Sequence, residues 1–288
     1  STDSSAQSST PAGSTSGTVE KKLKVDKSLG PIHIQSIGFG YHGGEVSIQV
    51  DAGVALGPLS ISVEGLKIEN PLDKISPSFS LDGMSIIYNS PPVELGGAFL
   101  KTTPTLKTVQ YEYDGMLNLS IKAFQLDAYG SYAKLKDGDT SLFIYAIADY
   151  PLGGPSFFFV TGLAAAFGYN RNLIAPDITG VAHYPLVAAA TANQNVVPVD
   201  GKSDPAARSA KILSELDQYL PPMAGEYFAG LGVKFESFKV IDSFALLLAK
   251  FGKELAFDFF ALSTYKAPDP EDPSPIAVVQ LEILGQLI

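Results

Sequence analysis

Apolar and polar residues alternate along most of this chain with a period of two, the signature of strands that present one face to an apolar environment and the other to a polar one. The pattern is clearest where it repeats. LGPIHIQSIGFGY at 29–41 returns as LGPLSISVEGLKI at 56–68, with Leu-Gly-Pro, the alternating positions and the later Gly in the same register. Short strands are predicted over 32–41, 45–55, 58–69, 78–88 and 93–101, punctuated by Gly43-Gly44, Gly57-Pro58, Asn70-Pro71 and Pro91-Pro92. From Val109 the strands lengthen through YEYDGMLNLSIKAFQLDAYGSYAKL, SLFIYAIADYPL and SFFFVTGLAAAFGYN. A hairpin turn is expected at 136–139, and Gly115, Gly130 and Gly162 fall where a strand bends or passes close to another backbone.

One segment changes period. Asp204 to Tyr219 predicts a helix, with Ser203 or Asp204 as N-cap, Pro205 in its first turn, and Pro221-Pro222 as its stop. Its apolar side is Ala206, Ala210, Leu213, Leu216 and Leu220. Residues 177–192 fit a short helix and a buried strand equally. Beyond the helix, strands resume with a turn at Lys250–Lys253, an acidic proline-rich loop follows at 267–275, and a last strand covers 276–288. Residues 1–18 are Ser, Thr, Gly, Ala, Pro and Gln almost throughout, too poor in apolar surface to offset the entropy of ordering, and read as a linker. The expectation is a mainly-β fold of a dozen or more antiparallel strands in one domain over 19–288. It takes the form of a sandwich, curved groove or barrel-like sheet with one amphipathic helix near 204–220, or else of an extended stack.

Composition narrows the function. The net charge of -10 argues against a nucleic-acid phosphate track and against average attraction to anionic membranes. Cysteine is absent, so disulfides and thiolate metal sites play no part. The longest apolar stretch, Phe157–Phe167, falls short of the roughly 20 residues of a spanning helix. No transmembrane helix is predicted. A chain that starts at Ser1 and ends on an uncapped apolar strand reads as a segment of a longer protein, with neighbouring β modules as its expected partners and an extracellular or cell-surface setting.

VDKSLGPIHIQSIGFGY, PSFSLDGMSIIY, PPVELGGAFL, YPLGGPSFFFVTGLAAAFGYNR and SFALLLAKFGKELAFDFFALS together resemble a family of large, uncharacterised β-rich proteins of bacteria and fungi that carry a domain of unknown function. The resemblance spans nearly everything after residue 24 and implies a portion of a longer β protein. It brings no catalytic residue with it.

Candidate chemistry is sparse. Gly38, Gly40 and Gly43 have dinucleotide-fingerprint spacing but open a strand instead of a helix, which points to a hairpin turn. His33, His42 and His183 lack zinc-site spacing, and Asp137 and Asp139 lack a calcium loop around them. Asp269, Glu271 and Asp272 read as a solvated acidic tip, and the Asn118 sequon falls inside a strand pattern. No metal and no cofactor is expected. The best candidate surface is the aromatic set Phe157, Phe158, Phe159, Phe167 and Tyr169 with Arg171, joined by Phe257 from a later strand. Three functions are therefore expected in order: a non-catalytic binding or scaffold module, a carrier of lipid or another apolar ligand in an aromatic-lined groove, and a polysaccharide hydrolase with unassigned carboxylates.

Overall fold

The computed structural model describes residues 19–191, 215, 216, 218–267 and 277–287. Fifteen strands form one antiparallel sheet that does not close on itself. They are β1 (Val19–Leu29), β2 (Ile32–His42), β3 (Glu45–Leu56), β4 (Leu59–Pro71), β5 (Ser78–Ser80), β6 (Gly83–Ser90), β7 (Val93–Thr102) and β8 (Val109–Ile121). The series continues with β9 (Phe124–Leu135), β10 (Thr140–Gly153), β11 (Phe159–Arg171), β12 (Pro222–Ser237), β13 (Ile241–Phe251), β14 (Ala256–Ala267) and β15 (Ala277–Leu287). Each strand pairs with the next in sequence, except that β6 lies beside β4 while the short β5 pairs with β4 further along. The mainly-β antiparallel character expected from the alternation is realised as one open sheet, neither a sandwich nor a closed barrel.

The hairpin turns are where the sequence puts them. Gly43 and Gly44 have φ of 58° and 89°, the left-handed values a two-residue hairpin needs, so the fingerprint-like spacing is a turn between β2 and β3. Residues 136–139 join β9 to β10. The stretch expected as one strand over 78–88 is two, β5 and β6, divided at residues 81 and 82. β1 was not expected: VEKKLKVDKSL is charged on both faces and exposed nearly throughout, as suits the outermost strand of a sheet. A line of bulges crosses β1 to β4, where the carboxylate of Asp51 accepts from Ser36 at 2.5 Å and from the Gly65 amide at 2.8 Å, and pairs with Lys22 at 2.6 Å.

The described residues between β11 and β12 leave the sheet and pack back onto one face of it. Residues 177–192, ambiguous in sequence, form a 3-10 turn at Ile178–Gly180 and the helix α1 (Pro185–Thr191). The helix expected over 204–220 lies mostly outside the described residues. Its described last turn, 215, 216, 218 and 219, is helical, with Leu216 and Leu220 buried. Val181, Tyr184, Leu186, Val187 and Ala190 meet Phe143, Tyr145, Ile147, Phe228, Phe244, Leu246, Leu248 and Phe260 from β10 to β14 in the principal core. Glycines on this face make room for their neighbours' side chains: a Cβ at Gly168 would stand 2.2 Å from the Phe228 ring, and one at Gly230 2.2 Å from Leu248 Cδ2. Among the described residues, no helix is long and apolar enough to cross a membrane.

Candidate functional site: an apolar sheet face

The face of the sheet turned away from α1 carries an apolar band from β2 to β15. In-register pairing links Ile32, Val54, Ile61, Ile86, Gly97, Leu117, Ala128, Ala146, Ala165, Leu231, Leu247, Phe259 and Gly285 into one row across thirteen strands, β2 to β4 and β6 to β15. The rows on either side are built alike, from Ile34, Phe99, Ile144, Phe167, Ala229 and Phe257 on one flank and Leu59, Leu95, Leu126, Leu163, Val233 and Ile283 on the other. From β2 to β15 these three rows hold no charged side chain, and Tyr88 carries their one hydroxyl. At about 4.8 Å between strands the band runs for about 58 Å. Leu231 is 73 % exposed, Leu163 and Leu247 49 % each, and Phe167 44 %.

Aromatic side chains border the band at both ends of the strands. On one side Tyr113, Tyr132, Tyr169, Tyr227 and Phe251 occupy one row, with ring centroids of Tyr169 and Tyr227 5.3 Å apart and of Tyr227 and Phe251 6.0 Å apart. On the other, Phe124 meets Tyr150 at 6.5 Å and Phe158 meets Phe235 at 4.5 Å. Four row steps of about 6.8 Å separate the two borders, about 27 Å in all. Tyrosine suits such a border because its ring joins the apolar band while its hydroxyl stays with water.

The predicted residues divide between the two faces. Phe167 and Phe257 share a row through Ala229 and Ala249, and Tyr169 stands in the next. Phe157 and Phe158 lie in the loop before β11, at the opposite border, and Phe159 is paired with Glu236. Arg171 is on the covered face. It follows Asn170, whose φ is +50°, and a register shift at that point turns its side chain beneath the segment returning to β12. There Arg171 donates to the Leu220 carbonyl at 2.7 Å, to Glu112 at 2.6 Å and to the Ser131 hydroxyl. Asp114, two residues along β8 from Glu112, is also buried, and loss of water around its carboxyl raises its pKa, against hydrogen bonds from Ser131 and Thr102. Glu112, Asp114 and Arg171 are all at or below 3 % exposure, so this polar cluster offers no entry to a substrate.

Ile144, Leu163, Leu231, Leu247, Phe259 and the N-terminal half of the band were missed by reading the aromatic run alone. Their signal was present as alternation in the early strands. In β11 the run TGLAAAFGY is apolar on both faces, so alternation there identifies neither face. Asn118, the sequon residue, is buried against Asp127 on the covered face, so the folded chain leaves it no room for a glycan. His33 is bound to Ser28 and Asp26 near the β1–β2 turn.

Neither the curated proteins nor the solved structures contain a match to this chain. A family model does match it, over residues 25–288, and that match agrees with a sheet that is continuous across the same span. The chain belongs to the family of unknown function DUF6603.

Proposed function

We propose that the protein is a non-catalytic carrier that holds hydrocarbon chains of lipids against the face of its sheet turned away from α1. The observation that carries this reading is the unbroken apolar band, two rows across thirteen strands and a third across twelve, without a charge from β2 to β15. A band about 58 Å long and two row steps, about 14 Å, wide covers on the order of 800 Å², more than the few hundred Å² of contiguous apolar surface ordinary for a monomer. Alkyl chains match its chemistry, since the band presents almost no hydrogen-bonding group that a polar ligand would use. The bordering tyrosines suit the boundary between chain and water.

Holding lipid in water fits this sheet better than immersion in a bilayer does. Among the described residues β1 and β15 each pair on one side only, and backbone groups on such edges are satisfied by water but costly in hydrocarbon. The test is organic extraction of protein purified without detergent, followed by mass spectrometry. Acyl or isoprenoid chains in at least equimolar amount are expected. Lipid-free protein that also fails to take up lipid from added vesicles would overturn the reading.

A further inference from the structure

Two glycines interrupt the side chains of the apolar face at one place. Gly115 of β8 and Gly130 of β9 are register partners, and neither has a positive φ, so the backbone conformation does not demand glycine at either position. A Cβ at Gly130 would meet only the Phe143 carbonyl, at 3.2 Å, and otherwise open space. Above the pair is a depression of about 320 Å³ walled by Phe99, Leu117, Tyr132 and Ile144. It leads to a second depression of about 380 Å³, and Phe99 and Tyr132 line both. The second contains Lys101, Tyr111 and Tyr113. Lys101 is exposed, forms no ion pair among the described residues, and sits at the rim of the apolar band in a chain of net charge -10.

Resting on the carrier reading, we infer that this pair of depressions is a site for one long-chain fatty acid, its alkyl chain over Gly115 and Gly130 and its carboxylate at Lys101. The first depression has the room of about ten waters at roughly 30 Å³ each. A methylene fills nearly the same space, so the depression offers room for about ten carbons of an alkyl chain. At the rim, a single cation next to phenol hydroxyls complements a carboxylate, a charge-assisted contact that a neutral head cannot make.

The test is fluorescence titration of the full chain with cis-parinaric acid and, in parallel, with its methyl ester. Lys101→Glu is expected to weaken the acid at least fivefold and leave the ester unchanged. Gly130→Leu, which fills the slot, is expected to weaken both at least tenfold. Ile144→Trp narrows the same slot from an exposed position and serves if Gly130→Leu fails to fold. Equal affinity of wild type and slot variants for the acid, or equal loss of acid and ester in Lys101→Glu, would overturn the site while leaving the carrier reading standing. Wild-type protein that binds neither probe would count against the carrier reading itself. Displacement of parinarate by phosphatidylglycerol but not by hexadecanoate would assign the site to a two-chain lipid and overturn the fatty-acid inference.

Discussion

Arg171, at the last position of β11, donates to the carboxylate of Glu112 on β8 at 2.6 Å, and both side chains are out of water. The pair crosses beneath the covered face and, through the Leu220 carbonyl, fastens the returning segment to the sheet. Truncating one partner leaves the other charged and buried. Arg171→Met is expected to cost about 3–5 kcal/mol. The double variant Arg171→Met with Glu112→Leu should recover part of that loss, and urea unfolding of the three proteins measures it.

Asp114 gives the neighbouring site a pH dependence. Burial raises its pKa in the folded chain, so the folded state keeps this proton to higher pH than the unfolded state does. Its effect is smallest below the unfolded value of about 3.9, and the folded state loses relative stability as pH rises from there through the raised folded value. Asp127 shifts in the same direction, from burial opposed by Asn118 and Gln125. Asp114→Asn should therefore gain stability over wild type progressively as pH rises through that window. Unfolding midpoints of the two proteins in a pH series test this, and a constant difference would contradict it.

Neighbouring residues of β12 compare the two faces directly. Gly230 points to the covered face, where a Cβ would come within 2.2 Å of Leu248, whereas Ala229 points to the open one and is exposed. Gly230→Val is expected to cost about 1–3 kcal/mol by overpacking, and Ala229→Val less than about 0.5 kcal/mol. Thermal or urea unfolding distinguishes them.

The docking of α1 rests on a hydrogen bond as well as on packing. Tyr145 donates to the Leu186 carbonyl at 2.6 Å in full burial. Tyr145→Phe leaves that carbonyl without this donor and is expected to cost about 1–3 kcal/mol. Faster hydrogen exchange across 184–191, with the exchange of β2 to β4 unchanged, is the accompanying signature.

Much of this architecture is legible in the chain. Ile32, Ile34, Leu59, Ile61 and Val63 alternate with polar neighbours, and all of them lie on the open face. What alternation alone does not reveal is which side is covered. In the early strands an apolar side reads as a core side, yet here it is exposed, because the covering segment among the described residues packs on the other face of β10 to β14. Arg171 read as the end of an aromatic ligand surface because strand period projects it beside Tyr169. The irregularity at Asn170, a non-glycine residue with positive φ, reverses that projection, and nothing local in the sequence marks it. The charges of β1 hide a strand whose pairing, among the described residues, comes from β2.

Because the chain has no cysteine, lipid contact with the apolar face can be read at single introduced positions. Single cysteines at Leu231 and Ile144 on the open face, and at Ser60 on the opposite face, accept a bimane fluorophore. Each labelled protein is then mixed with a fatty acid brominated along its chain, which quenches only at contact. Strong, saturable quenching is expected at Leu231 and Ile144 and none at Ser60. Equal quenching at all three positions, or none at the two on the open face, would contradict the carrier reading.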